Sequence, residues 1–177
     1  SNVGLSVREV SYFMGAAVMG GVVLQYPIGR LSDLLNRRRV IIATCAGGAV
    51  AAFATATIGS PGVGQAWQLY LGVALVGGFS TPLYALCIAH TNDYLTPSQM
   101  VAASSTLVLA VSIGSSLGAP VTAFAMENLG QHWFFNTIGA AMAVLFLFGL
   151  WRTTQRAAVD SDEAGDFVIM APTPMSA

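Results

Sequence analysis

From Val40 to Asn92 the chain carries no Asp, Glu, Lys or Arg. Three other stretches share that property: Val10 to Gly29, Tyr94 to Met126 and Asn128 to Trp151. A helix needs about 20 apolar residues to cross the hydrocarbon of a bilayer. Each of the three therefore accommodates one crossing, and the stretch from Val40 accommodates two. It carries its own break, Gly59-Ser60-Pro61-Gly62-Val63-Gly64, a dense turn signal. The pattern predicts spans at 7–28, 40–58, 67–92, 97–126 and 133–151. The expected fold is all-α: a polytopic membrane helix bundle over residues 1–151, followed by a solvated tail.

Composition narrows the function. Charged residues make up 8% of the chain, against about 25% in soluble domains. With a mean hydropathy of +0.68, this excludes a disordered chain and an ordinary soluble enzyme. A net charge of −1 provides no basic field for nucleic acid. Cys45 and Cys87 fall in apolar runs without a CxxC or Cys/His cluster, so they read as inert thiols. Neither a catalytic constellation nor a metal or cofactor motif is expected.

The span ends carry physical markers. Ser6-Val7-Arg8-Glu9 and Thr96-Pro97-Ser98-Gln99 have capping-box spacing, the second with Pro at the first helical position. Tyr12, Tyr26, Trp67, Tyr70, Tyr94, Trp133 and Trp151 lie near span ends, as an interfacial aromatic belt requires. The 29–39 segment holds Arg30, Arg37, Arg38 and Arg39, and the tail holds Arg152 and Arg156; the other side of the membrane holds only Arg8. The positive-inside bias places the 29–39 segment and the C-terminus in the cytoplasm and residue 1 outside. The expectation is a chain that is part of a longer one, with at least one helix before Ser1. Residues 152–177, with Asp160, Asp162, Glu163, Asp166, Pro172 and Pro174, are expected to form a disordered cytoplasmic tail.

The segment Gly29-Arg30-Leu31-Ser32-Asp33-Leu34-Leu35-Asn36-Arg37-Arg38-Arg39 resembles the signature loop of the major facilitator superfamily, Gly-x-Leu-Ala-Asp-Arg-x-Gly-Arg-Arg. Gly29, Leu31, Asp33, Arg37 and Arg38 match. Leu34 stands where a basic residue is usual, and Asn36 where Gly is usual. The resemblance extends through Gln25-Tyr26-Pro27-Ile28, Ala89-His90-Thr91-Asn92-Asp93-Tyr94-Leu95, Ala102-Ala103-Ser104 and Gly114-Ser115-Ser116-Leu117-Gly118-Ala119-Pro120. These look like the C-terminal half of the YcaD-like branch of that superfamily, and cover nearly all of residues 5–151. The resemblance implies helices 8 to 12 of a secondary active transporter of the bacterial inner membrane. It also implies a small-molecule substrate and a missing N-terminal half as partner. A cytoplasmic gate would be built from Gly29, Arg30, Asp33, Arg37 and Arg38. Gly29 and Asn36 are expected to make a tight turn, and Asp33 to face an Arg or a helix N-terminus.

No charge lies deep in any span, so a coupling carboxylate is expected in the missing half. The resemblance makes the third and fourth spans cavity walls and turns the second and fifth toward lipid. Ser80, Thr81, Tyr84, Ser112 and Ser115 are the substrate-cavity candidates; close helix packing is the other reading of these residues. Gly78 and Pro82 in the third span, and Gly114, Gly118 and Pro120 in the fourth, are candidate bends. The Ala110, Gly114 and Gly118 stripe reads first as a packing face. His90 and Asp93 form a pair at the cytoplasmic mouth, open to three readings: ordering of the following loop, gating, or chemistry. The alternatives to a transporter fragment are a complete small membrane protein acting as an oligomeric scaffold or pore, and an intramembrane enzyme using His90 and Asp93.

Overall fold

The computed structural model describes residues 7–58, 66–96 and 98–155. They form five helices: α1 (Val7–Leu34), α2 (Arg37–Thr57), α3 (Ala66–Asn92), α4 (Met100–Leu129) and α5 (Trp133–Gln155). All five are long and apolar enough to cross a membrane, and no strand occurs among the described residues. The Ser6 box, the Gly59–Gly64 break and the tail beyond Gln155 lie outside the described residues.

Bounds depart from expectation where charged residues follow an apolar run. α1 continues five residues past Gly29, because the polar side chains of its last turns reach water without leaving the helix. Gly29 is therefore helical, and the turn is Leu35-Asn36 alone. Asn36 is not left-handed: at φ −57° it caps α2, its side chain accepting from the Arg38 N–H at 3.2 Å. α5 likewise runs to Gln155 rather than to Trp151. At the head of α4 half of the expected box forms: the Gln99 amide oxygen accepts from the Thr96 N–H at 3.2 Å, but the Gln99 N–H donates to the Thr96 carbonyl. Pro97 lies outside the described residues. Gly130, at φ +102°, closes α4 in a conformation that side chains avoid.

Lipid is as apolar as leucine, so helices in a bilayer associate through close approach rather than hydrophobic sidedness. The seams obey this. A Cβ at Gly20 would collide with the Ala74 carbonyl, one at Gly77 with the Ala17 carbonyl, and one at Gly78 with Leu24. Gly20 meets Ala74 where Leu24 meets Gly78, and Ala17 meets Gly77 where Gly21 meets Thr81; in each case one turn along α1 goes with one turn along α3, so the two helices run parallel. α2 lies antiparallel between α3 and α5. Gly47 receives the Phe79 ring, Gly48 the Phe79 Cβ and Met142, Gly72 receives Thr55, Gly139 receives Phe53 and Gly149 receives Ile42. Two apolar clusters result: Ala51, Ala52, Val73, Val76 and Phe135, and toward the Arg-rich end Ile28, Val40 and Leu86, with Phe79 touching both.

Exposure differs from expectation at α2. The resemblance turns α2 toward lipid, yet α2 is the most buried helix, because its Ala, Gly and Thr side chains let two neighbours approach at once. α4, which carries the small-residue stripe, has no residue buried within this chain, and Gly114 and Gly118 meet no neighbour within 4 Å.

Candidate functional site

The chemistry concentrates at the Arg-rich end, around one guanidinium. Arg37 opens α2, and each of its nitrogens has a different neighbour. Nε donates to the Ser32 hydroxyl at 3.2 Å, and Nη1 donates to both Asp93 carboxylate oxygens at 2.7 and 2.9 Å. Nη2 lies 3.6 Å from Asp33 Oδ1. Local folding sets this up. Ser32 and Asp33 occupy the last turn of α1, the two-residue turn delivers Arg37 beside them, and Asp93 follows the last residue of α3. Burial ranks the partners: the Arg37 side chain is 23% exposed, Asp93 49% and Asp33 74%. Asp93 is therefore the principal partner and Asp33 the weaker one. Three arginines in the first turn of α2 oppose the helix dipole, and the two carboxylates offset that.

Asp93 thus does something other than order the residues after α3: it ties the end of α3 to the start of α2. His90, one turn earlier, packs edge-on against the Tyr94 ring, centroids 5.2 Å apart. Asp93 directs both oxygens to Arg37, so a His90–Asp93 dyad is not assembled. Ser32, buried at this junction, stands where the motif has Ala and is not among the candidate residues; a small hydroxyl before an acid gives little sequence signal.

Gly29, Arg30, Asp33 and Arg37 also border an amphipathic groove of about 510 Å³ between α1 and α3, floored by Pro82, Ala85, Leu86 and Ala89. Of the proposed cavity and bend residues, only Pro82 lines it. Ser80, Thr81 and Ser112 return their hydroxyls to their own helices, to the carbonyls of Val76, Gly77 and Val108 at 2.7–2.9 Å. Thr81 also lies at the α1 seam, where a Cβ at Gly21 would come within 2.6 Å of its hydroxyl. Gly78 is likewise a seam residue, which explains it without a bend. Tyr84, Ser115 and Pro120 are exposed. The described residues do not bring these candidates into one pocket. The seam glycines Gly20, Gly21 and Gly77 carried a readable signal: Ala16 with Gly20, Ala17 with Gly21 and Gly77 with Thr81 are small pairs at spacing four.

Comparison with known proteins places these features in a family. The model for the Major Facilitator Superfamily matches residues 1–175. The protein named Uncharacterized MFS-type transporter YcaD from Escherichia fergusonii is 32% identical over 155 residues, covering 86% of this chain and 37% of that protein. The protein of that name from Escherichia coli is 30% identical over 149 residues, covering 84% and 37%. The chain thus spans about 37% of the length of these curated relatives. No solved structure matches.

Proposed function

This chain belongs to the major facilitator superfamily, and from that premise we propose that it forms helices 8 to 12 of a secondary active transporter. The whole protein would move a small solute by alternating access, with the rest of the transporter as its partner. The family is one of membrane transporters, and the five helices suit an integral membrane protein of the bacterial inner membrane.

The observation that carries the reading is the Arg37 junction. It joins segments 56 residues apart through charge-assisted hydrogen bonds in a half-solvated setting. Such contacts are strong enough to bias a conformational equilibrium and wet enough to exchange with water. The positive-inside rule puts this junction and the C-terminus in the cytoplasm, with 152–177 as the cytoplasmic tail. Alternating access moves one bundle against another around a site between them, so an unpartnered α4 suits one part of such a machine. Tyr84, Ser112 and Ser115 remain the cavity candidates, as exposed polar groups on α3 and α4. Family membership does not identify a substrate.

The test needs no substrate. In the full-length protein, free of native cysteines, Tyr84→Cys is labelled with a membrane-impermeant maleimide from either side of oriented vesicles. Alternating access expects reaction from both sides, with cross-linking across the cytoplasmic ends abolishing only the cytoplasmic component. Reaction from one side alone, unaffected by the cross-link, would refute it.

A further inference from the structure

The groove between α1 and α3 has a feature that the Arg37 junction leaves unused. Arg30 borders it, and among the described residues no carboxylate pairs with Arg30. Its Nη1 is held by the Tyr26 hydroxyl one turn earlier, at 3.3 Å. Arg30 is the first charge after the charge-free run that begins at Val10, so it stands where hydrocarbon gives way to headgroups. Ser32 lines the same end, its hydroxyl accepting from Arg37, and Gln25 lines the groove more than one turn deeper on α1. The α3 wall is apolar throughout: Pro82 and Leu86 are buried at its base, while Ala85 and Ala89 leave room above them. On α1 the missing side chain of Gly29 opens the groove, and a Cβ there would meet nothing within 4 Å.

We propose that this groove is a binding site for one anionic phospholipid, its phosphate held by Arg30 and its acyl chain laid along the α3 wall. Charge complementarity and depth select that occupant. An unpaired cation at headgroup level, above an apolar channel, matches an anion joined to a hydrocarbon chain, and basic pockets between helices on the cytoplasmic side recruit such lipids. The end of the groove is Ser32, Asp33 and Arg37, so an occupied groove places an anion beside the junction that ties α1, α2 and α3. The inference rests on the membrane reading of the helices and not on the transport reading.

The experiment is native mass spectrometry of the delipidated protein, titrated with phosphatidylglycerol or with phosphatidylcholine of the same chains. The expected result is preferential retention of one phosphatidylglycerol. Arg30→Gln should weaken that step about fivefold, the loss expected for one basic group at a lipid surface, and leave phosphatidylcholine unchanged. Gly29→Leu, which fills the groove at a position with free space, should remove the specific step. Arg39→Gln, an exposed arginine outside the groove, is the control. An equal loss for Arg39→Gln, or no loss for Arg30→Gln and Gly29→Leu, would overturn the proposal. Displacement by millimolar inorganic phosphate would reassign the groove to a free anion. In the full-length protein, failure of a lipid-soluble maleimide to reach Ala85→Cys would make the groove a protein seam and overturn it equally.

Discussion

Replacing Asp93 by Asn keeps the shape of the Arg37 junction and removes its principal counter-charge. Fully exposed ion pairs contribute about 0.2–1 kcal/mol, and hydrogen bonds to charged groups about 1.5–3 kcal/mol. Arg37 is mostly covered and Asp93 about half covered, so the coupling between them should fall between those ranges, at about 1–2 kcal/mol. Asp33 is far more exposed and stands 3.6 Å away, so its coupling to Arg37 should stay below about 0.5 kcal/mol. Double-mutant cycles pairing Arg37→Gln with Asp93→Asn and with Asp33→Asn, read as thermal stability in detergent, separate the two. If the junction forms in only one access state, Asp93→Asn should also shift the ratio of inward to outward labelling at Tyr84→Cys by roughly 5- to 30-fold. The family motif draws attention to Asp33, yet the geometry ranks Asp93 above it. A coupling for Asp93 under about 0.3 kcal/mol, or an Asp33 effect equal to or larger than that of Asp93, would refute this reasoning.

Gly20→Ala should destabilise the chain by about 1–3 kcal/mol or more, because backbone carbonyl, not a movable side chain, occupies the space its methyl needs; Gly15→Ala, facing open space, should change the melting midpoint little. Gly114→Leu should leave the stability of this chain within about 0.5 kcal/mol, yet disrupt folding or function of the full-length protein if the rest of the transporter covers α4; neutrality in both would show that face to be lipid-exposed. For topology, Leu35→Cys in the α1–α2 turn and Gln131→Cys in the α4–α5 turn, both exposed, should label from opposite sides in a background lacking Cys45 and Cys87. Ser32 is a poor reporter because it is buried. This chain alone, reconstituted in vesicles, should show no saturable solute flux, since one bundle cannot alternate against itself.

The number, order and class of the helices were legible in the residues themselves. A charged side chain inside hydrocarbon is costly and an unpaired backbone more so, so charge-free runs of membrane length leave helices as the solution. The signature segment was equally legible, since its Gly, Asp and Arg spacing is local in sequence. What tertiary structure decided is which residues that segment meets. Arg37 chooses Asp93 over Asp33, and that choice depends on where the end of α3 falls beside the start of α2, which no local pattern specifies. The same holds for the glycines. Gly20, Gly78 and Gly114 look alike in sequence, but two lie in a seam where backbones touch and the third faces open space. Small residues permit close approach in any direction, and only the arrangement of the neighbouring helices determines whether a partner is there.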